Sequence, residues 1–534
     1  MNRMGWEQRT AAVFTLVVVA LRIWFARQVS FCGTPDSCYG VGMGRALASG
    51  HGFRLGFLFD LQVHAAHLPT TGLEYWRPGV ALILQGLRLF GGVTLHRSLV
   101  VTVWFGVVWA LVSWWIAMRA TGSRRVALAS YALCLLLPPG WESSLTPDPT
   151  LYYAAAVAWF LALFTVERQG LWQDVVALGC VGAAYLIRND AGLLLAPLAA
   201  VLWLRMRQAG AARRRGEAAP AGSSGWYTAA MVVGFFVALG PMHLLYRHVL
   251  GTAFPAGTSK ALFLNDMSDF SSYGAPVSLH TLLAHGVKHL IAARVNAVAM
   301  IVYRLLALVL GYAALVFLPS LVVTRRPSGS EVVRTGMDAA RMPELAGPVA
   351  FGVVVLVVYG LVLPTVGTFS ALRTAVGLLP VTAVIVVVAM VRLARSRRVA
   401  VALAGTVIAV YAVSGVMDDR REIGPMNAIG EADRAQAAEL AAMGAEPENA
   451  VVMTADPVQF SVTTGYRAIP MPSNGLDAIT KEALDLHASY AILDGEHLPG
   501  SPNVVAEKLH PTQTEAVPGQ TMLVLELCPE PQRP

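Results

Sequence analysis

The sequence predicts an all-α polytopic membrane protein of about eleven transmembrane helices, followed by a small α/β soluble domain at the C-terminus. Three observations predict it. The 534 residues are 55 % hydrophobic and only 14 % charged, against about 25 % charged in a soluble domain, and the mean hydropathy is +0.56. The apolar residues lie in repeated runs close to the roughly 20 residues that a spanning helix needs. From about Asp418 the runs stop, and short strand and helix patterns alternate. Together these exclude a soluble enzyme, a disordered chain, a collagen-like fibre and a disulfide-rich secreted scaffold.

Charge divides the chain at the same point. From Asp418 onward 18 acids face 7 bases, a net of −11, whereas the rest holds 15 acids and 33 bases, a net of +18. The pI of 9.2 therefore averages a basic membrane part and an acidic tail. No basic stripe interleaved with aromatics points to nucleic acid. Scarce Lys beside abundant Ala, Val, Gly and Arg is the composition of a high-GC bacterial genome.

Candidate spans begin near Thr10, Ser98, Val126, Leu151, Trp172, Ala191, Trp226, Val295, Val349, Ala375 and Val399. The fifth and sixth are short and can form a re-entrant pair; removing a pair leaves the two chain ends on opposite sides. Arginine sets the orientation, because cytoplasmic loops carry the Lys/Arg excess. Alternate loops hold Arg119, Arg124 and Arg125; Arg205, Arg207, Arg213, Arg214 and Arg215; Arg325, Arg326, Arg334 and Arg341; and Arg392, Arg395, Arg397 and Arg398. These and the N-terminus, with Arg3 and Arg9, are expected inside. Two long loops, near 31–96 and 247–294, and the tail are expected outside. The chain then reads as a multi-pass bacterial plasma-membrane protein, with a membrane domain over 1–417 and an extracytoplasmic domain over 418–534. The first apolar segment is long, contains Arg22 and lacks a clear small-residue cleavage site, so it reads as an uncleaved anchor.

The tail pattern predicts helix over Ala432–Met443, strand over Ala450–Thr454, helix or turn over Pro457–Thr464 and strand over Arg467–Met471. Helix over Leu476–His487 follows, then strands over Tyr490–Leu493, near Glu515–Val517 and over Met522–Leu527. The tail carries no convincing catalytic or phosphate-loop signature. Cys134 and Cys180 fall in apolar spans as packing residues. Cys32 and Cys38 flank Asp36 with five residues between them; a disulfide and a free thiol pair are both open, and no zinc spacing appears.

Ionisable groups at the outer ends of spans are the candidates for chemistry. Asp36 closely follows the first span, in PDSCYGVGMGRALASGHGFR. It reads both as a helix cap and as a positioned carboxylate, two compatible roles. Tyr39 lies just beyond it. Asp148, between two prolines in LTPDPTLYY, carries the same pair of readings. Two such carboxylates at one face can serve as a general base with a metal or electrostatic partner. Arg188 and Asp190, in YLIRNDAG, read as a tight turn or as a phosphate or carboxylate partner. Arg373, in GTFSALRTAVGLLP, reads as a snorkelling side chain or a receiver of lipid phosphate. Lys260, His64 and His67 are weaker candidates in the outer loops.

Taken in order, these pieces resemble the C-fold (GT-C) membrane glycosyltransferases, in particular bacterial relatives of the protein mannosyltransferases and the lipid A aminoarabinose transferase. The acidic residue after the first span and its small-residue helix match at Asp36, Ser37, Tyr39, Ala46, Leu47, Gly50, Gly52 and Phe53. A Trp-x-Pro element matches at Trp76, Arg77 and Pro78, and a second outer acid at Asp148. An Arg-x-Asp turn matches at Arg188, Asn189 and Asp190. A loop pattern matches at Gly251, Pro255, Lys260, Leu262, Asp266 and Tyr273. An Arg before a Leu-Pro span matches at Arg373, Leu379 and Pro380.

The resemblance implies transfer of a sugar from a polyprenyl-phosphate donor to an envelope acceptor, whether glycan, lipid or protein, with membrane lipid around it and no nucleic acid. Asp36 would be the base of a single inverting displacement and Asp148 its catalytic partner. Tyr39, Arg188, Asp190, Lys260 and Arg373 would bind substrate, Arg373 offsetting the phosphate charge. The resemblance fixes no cofactor; a divalent cation held by Asp36 and Asp148 stays open. The neighbours of Asp36, Pro35 and Ser37, differ from the paired acids of the eukaryotic protein mannosyltransferases, and the tail lacks their trefoil repeats. The rival readings are a lipid or polysaccharide transporter or flippase, and a non-catalytic envelope assembly protein. No internal repeat supports the transporter, and the polar candidates gather at one face.

Overall fold

A computed structural model of the chain describes residues 5–59, 61, 67–167, 170–218, 222–255, 260, 263–264, 269, 271–274, 277–308, 344–393, 397–493, 511, 513–516 and 523–527. His64, Leu262 and Asp266 lie outside these residues, as do Arg325, Arg326, Arg334, Arg341 and Arg395.

Each of the eleven apolar segments falls on a helix. They are α1 (Trp6–Ala26), α4 (Leu95–Thr121), α5 (Arg124–Leu135), α7 (Pro149–Leu163), α8 (Leu171–Ile187), α9 (Leu195–Arg214), α10 (Gly225–Leu250), α12 (Val287–Leu308), α13 (Ala346–Val357), α15 (Leu379–Leu393) and α16 (Arg397–Ala442). Among the described residues six helices are long and apolar enough to cross a membrane, and four shorter apolar helices accompany them. Their outward faces are apolar, as at Trp24, Trp203, Phe236 and Val410, which suits lipid rather than water. Short helices fill the connections: α2 (Pro35–Ala48), α3 (Gly79–Gln85), α6 (Pro138–Glu142), α11 (Leu279–Ala284) and α14 (Pro364–Ala375).

Two expectations change. The third span is short, as is the fifth at 17 residues, whereas the sixth is not. α5 has 12 residues and stops ahead of Pro138–Pro139, whose rings cannot continue a helix. The sixth segment, Asn189–Arg214, is a 26-residue helical stretch. In the tail, the helix expected over Ala432–Met443 is instead the far end of α16, a single helix of 46 residues and about 69 Å. It runs through Asp418 and on past Pro425, which lies inside the helix, into the Ala-rich stretch beyond.

The tail sheet follows the predicted pattern closely. Strands β3 (Val451–Thr454), β4 (Arg467–Pro470), β5 (Tyr490–Leu493), β6 (Gln513–Ala516) and β7 (Leu523–Glu526) lie in the order β4-β3-β5-β7-β6. β3 is parallel to β4 and β5, and the β5–β7–β6 part is antiparallel. Helices α17 (Pro457–Thr464) and α18 (Leu476–Asp485) make the crossovers.

The tail grips the loop that follows α1. That loop carries a two-residue ladder, β1 (Arg54–Leu55) with β2 (Thr70–Thr71). Beyond β1, Phe57 bridges Ala468 of the edge strand β4 in parallel, with Ala468 N donating to Gly56 O at 2.9 Å and Leu58 N to Ala468 O at 3.0 Å. Covering that edge satisfies backbone groups that would otherwise invite stray pairing. α17 packs on α2, where Gly42 has no side chain to hold Val462 away: a Cβ there would sit 2.9 Å from it. Arg45 adds a bond to Val462 O at 3.0 Å. Asn427 of α16 closes the chain leaving α1, accepting from Ser30 N and donating to Gln28 O, both at 2.8 Å.

Candidate active site

The tail-side end of the helix bundle gathers most of the predicted charged residues. α2 starts there because Thr34 caps it: its Oγ1 accepts from Ser37 N at 3.3 Å, and Pro35 occupies the first helical turn. Thr34, not Asp36, is therefore the cap. Asp36, in the first turn, is left to face the bundle. A Cys32–Cys38 disulfide closes the chain around this turn, resolving the open choice in favour of the bridge. Asp148 is the cap of α7 and accepts from Thr150 N at 2.7 Å, while its other oxygen faces Thr34 Oγ1 at 3.4 Å.

Arg373, in the last turn of α14, reaches both carboxylates. Its Nη1 is paired with Asp36 Oδ2, and its Nη2 lies 3.4 Å from Asp148 Oδ2. It does not snorkel away; its guanidinium is the cation between the two acids. A divalent ion held by Asp36 and Asp148 would have to displace it. Among the described residues no group of three or more His, Cys, Asp or Glu side chains is placed to hold a metal. Asp36 Oδ1 accepts a further bond, from Trp76 Nε1 at 2.7 Å.

Beside this triad lies a second pair. Arg188 Nε and Nη2 both approach Asp190 Oδ2 at 2.7 Å. Thr374 Oγ1 donates to the same oxygen at 2.9 Å and lies 3.3 Å from the Tyr359 hydroxyl. Arg188 lies 5.7 Å over the Tyr153 ring. The turn is a short 3-10 helix over Asn189–Leu194. The two pairs meet through adjacent residues, Arg373 and Thr374. The acidic side outnumbers the basic, with Asp36, Asp148 and Asp190 against Arg373 and Arg188.

The remaining candidates lie further out. Tyr39 is buried behind Trp76, with ring centroids 4.3 Å apart. Its ring packs on the indole that binds Asp36. Lys260 acts on Glu74, whose carboxyl is raised by burial and lowered in part by that ammonium. His67 is exposed.

Four participants had no assigned role in the sequence. Trp76 and Arg77 stood in the Trp-x-Pro motif, but nothing marked the indole as a partner of Asp36, or Arg77 Nε as a donor to Asn189 Oδ1. Thr374 follows Arg373 directly and could have been suspected from adjacency. Tyr359, on a separate helix, carried no signal.

The arrangement defines a polytopic helical fold in which an acid on a juxtamembrane helix meets an arginine from a distant span, under a small α/β tail. No protein-family model matches the chain, and no curated protein matches it in sequence. The fold is shared with the crystal structure of ArnT from Cupriavidus metallidurans bound to undecaprenyl phosphate: TM-score 0.58 and 13 % identity, over 96 % of this chain and 97 % of that one. ArnT from the same organism in the apo state aligns at 15 % identity over 98 % of this chain and 100 % of that one. Its TM-score of 0.44 is too loose to define a shared fold. The resemblance read from the sequence therefore holds for the fold, along nearly the whole chain.

Proposed function

We propose that the chain is an integral membrane glycosyltransferase of the bacterial plasma membrane, acting on its outer face. It would move a sugar from a polyprenyl-phosphate donor to a hydroxyl of an envelope acceptor. The observation that carries this reading is the Asp36–Arg373–Asp148 triad, assembled from three distant stretches of sequence. It lies in a fold shared with a protein whose crystal structure holds undecaprenyl phosphate.

The residues support each role. Asp36 takes the acceptor's proton as the acceptor oxygen attacks the anomeric carbon. The bond to the phosphate oxygen breaks, polyprenyl phosphate leaves and the configuration inverts. An ionised Asp is a weak base in water, so its contribution comes from placement. Arg373, already paired with anionic oxygens, suits the departing phosphate, with Arg188 behind it. Asp148 orients Arg373 and so keeps its fork aimed at the site. Lys260, on the loop after α10, would meet the donor from above, and Tyr39 would act through Trp76.

The test offers the purified protein, in lipid bilayers, a panel of polyprenyl-phosphate sugars with crude envelope acceptors. Sugar release is followed for wild type and Asp36→Asn. Release from one donor, lost in Asp36→Asn at unchanged melting temperature, supports the reading. Equal release from both proteins removes Asp36 as the base, and no release from any donor by a folded wild-type sample overturns the reading.

A further inference from the structure

We infer that Trp76 is a positioning residue for the Asp36 carboxylate: its indole N–H holds Oδ1 while Arg373 holds Oδ2, and the two bonds together fix the orientation in which Asp36 meets the acceptor. The inference deepens the glycosyl-transfer reading and, in its kinetic part, rests on it.

An indole nitrogen can only donate, and Trp76 Nε1 does so to Asp36 Oδ1 at 2.7 Å. A carboxylate otherwise turns easily about its last torsion, which is broad and two-fold. A bond to one oxygen removes that freedom and fixes where the other oxygen points. Here the second oxygen, Oδ2, is turned to Arg373.

Trp76 can fix the carboxylate because it is itself held from two sides. Its ring packs on Tyr39 at 4.3 Å, Phe59 at 4.2 Å and Tyr75 at 4.6 Å. Tyr39 lies three residues after Asp36 on α2, so the same helix carries the acid and the platform for its partner. On its C-terminal side the chain is fastened to α8. Arg77 Nε donates to Asn189 Oδ1, and its guanidinium lies 4.0 Å over Tyr185 and 4.7 Å over Tyr246. Gly79 rests directly on the end of α8, where a Cβ would come within 2.6 Å of Leu186 O. A strap therefore runs from α2 to α8 with the indole at its centre.

Two measurements test this on the full chain. In protein labelled with 5-fluorotryptophan, the ¹⁹F resonance absent from Trp76→Phe belongs to Trp76. Asp36→Asn should move that resonance more than any other. This readout needs no substrate, so it decides the contact even if no donor turns over; an unmoved Trp76 resonance overturns the inference. In the transfer assay, Trp76→Phe keeps an aromatic ring on Tyr39 and loses only the donor. Its kcat should fall on the order of tenfold to a hundredfold, as expected for one hydrogen bond to a charged group, while KM for the donor stays within about twofold. Trp76→His, a smaller ring that keeps an N–H, should retain more turnover than Trp76→Phe. The reverse ranking, or a raised KM at constant kcat, overturns positioning as the role.

Discussion

Two arginine–aspartate clusters stand at opposite ends of the helix bundle, and they are built differently. At the far end Arg205 and Asp174 meet at 3.3 Å with side chains only 3 % and 1 % exposed. Arg205 Nε and Nη2 also bond Thr165 O at 3.1 and 2.6 Å, Tyr227 donates to Asp174, and the guanidinium lies 4.6 Å over Phe164. At the tail-side end the paired side chains of Asp36, Asp148, Arg188, Asp190 and Arg373 are 13–28 % exposed. One arginine is shared between two acids there. The far cluster locks the ends of α7, α8, α9 and α10 together. The tail-side cluster has surplus acid and partly exposed side chains, so its arginine can exchange one anionic partner for another. Burial and charge balance separate the two clusters where residue type alone does not.

The contrast can be broken from either end. Asp36→Asn should cost the largest effect, a roughly 10²- to 10⁴-fold loss of turnover typical of a removed base, with melting temperature unchanged. A large fall in stability without a matching fall in turnover per folded molecule would place Asp36 with the fastenings. Arg205→Met should do the opposite. It leaves Asp174 buried without its cation, which costs about 3–5 kcal/mol, read as a lower melting temperature in detergent with turnover per folded molecule preserved.

A third test lies in the tail. Glu482 is fully buried, and among the described residues neither carboxyl oxygen has a hydrogen-bond partner. Burial, with Asp485 nearby, raises its pKa from 4.5 to about 9. The folded form therefore holds a proton that the unfolded chain gives up above pH 4.5, and stability falls as pH rises from about 4.5 to about 9. Glu482→Gln should flatten that slope and stabilise the tail by on the order of 3 kcal/mol at pH 7. A melting curve with the same pH slope in wild type and variant would refute it.

The smaller effects sharpen the tail-side cluster. Arg373→Lys keeps the charge but loses the fork that spans Asp36 and Asp148. It should lower turnover roughly tenfold at similar stability; full activity would show that one point charge suffices. Thr34→Ala removes the cap of α2 and should cost about 1 kcal/mol. Because Thr34 also faces Asp148, turnover should drop a few-fold, which kinetics at a fixed folded fraction would reveal.

Much of the fold was legible because its signals are local. Apolar runs marked every span segment, and Pro457, Gly465 and the alternation around Val451–Thr454 placed the tail elements within a residue or two. The misreadings were of length and continuity. α5 stops ahead of Pro138–Pro139, whereas α16 continues past Asp418 with Pro425 inside it. The site was legible as a set of suspects: Asp36, Asp148, Arg188, Asp190 and Arg373 are each a charge at the edge of an apolar run. Tyr39, read from the sequence as a substrate-binding candidate, packs its ring on Trp76.

The sequence by itself determined that this chain is a helical membrane bundle with an α/β tail, because hydropathy and periodicity depend only on near neighbours. It also determined that a small set of charges would be exceptional. Only the tertiary structure decided which charges meet. Arg373 and Asp36 lie 337 residues apart, so their contact is fixed by how α2 and α14 pack. The choice of Thr34 over Asp36 as cap was decided there too, and so was the indole of Trp76 as the second partner of the acid. Those choices depend on which atoms come within hydrogen-bonding distance once the core has closed, and no local pattern encodes that.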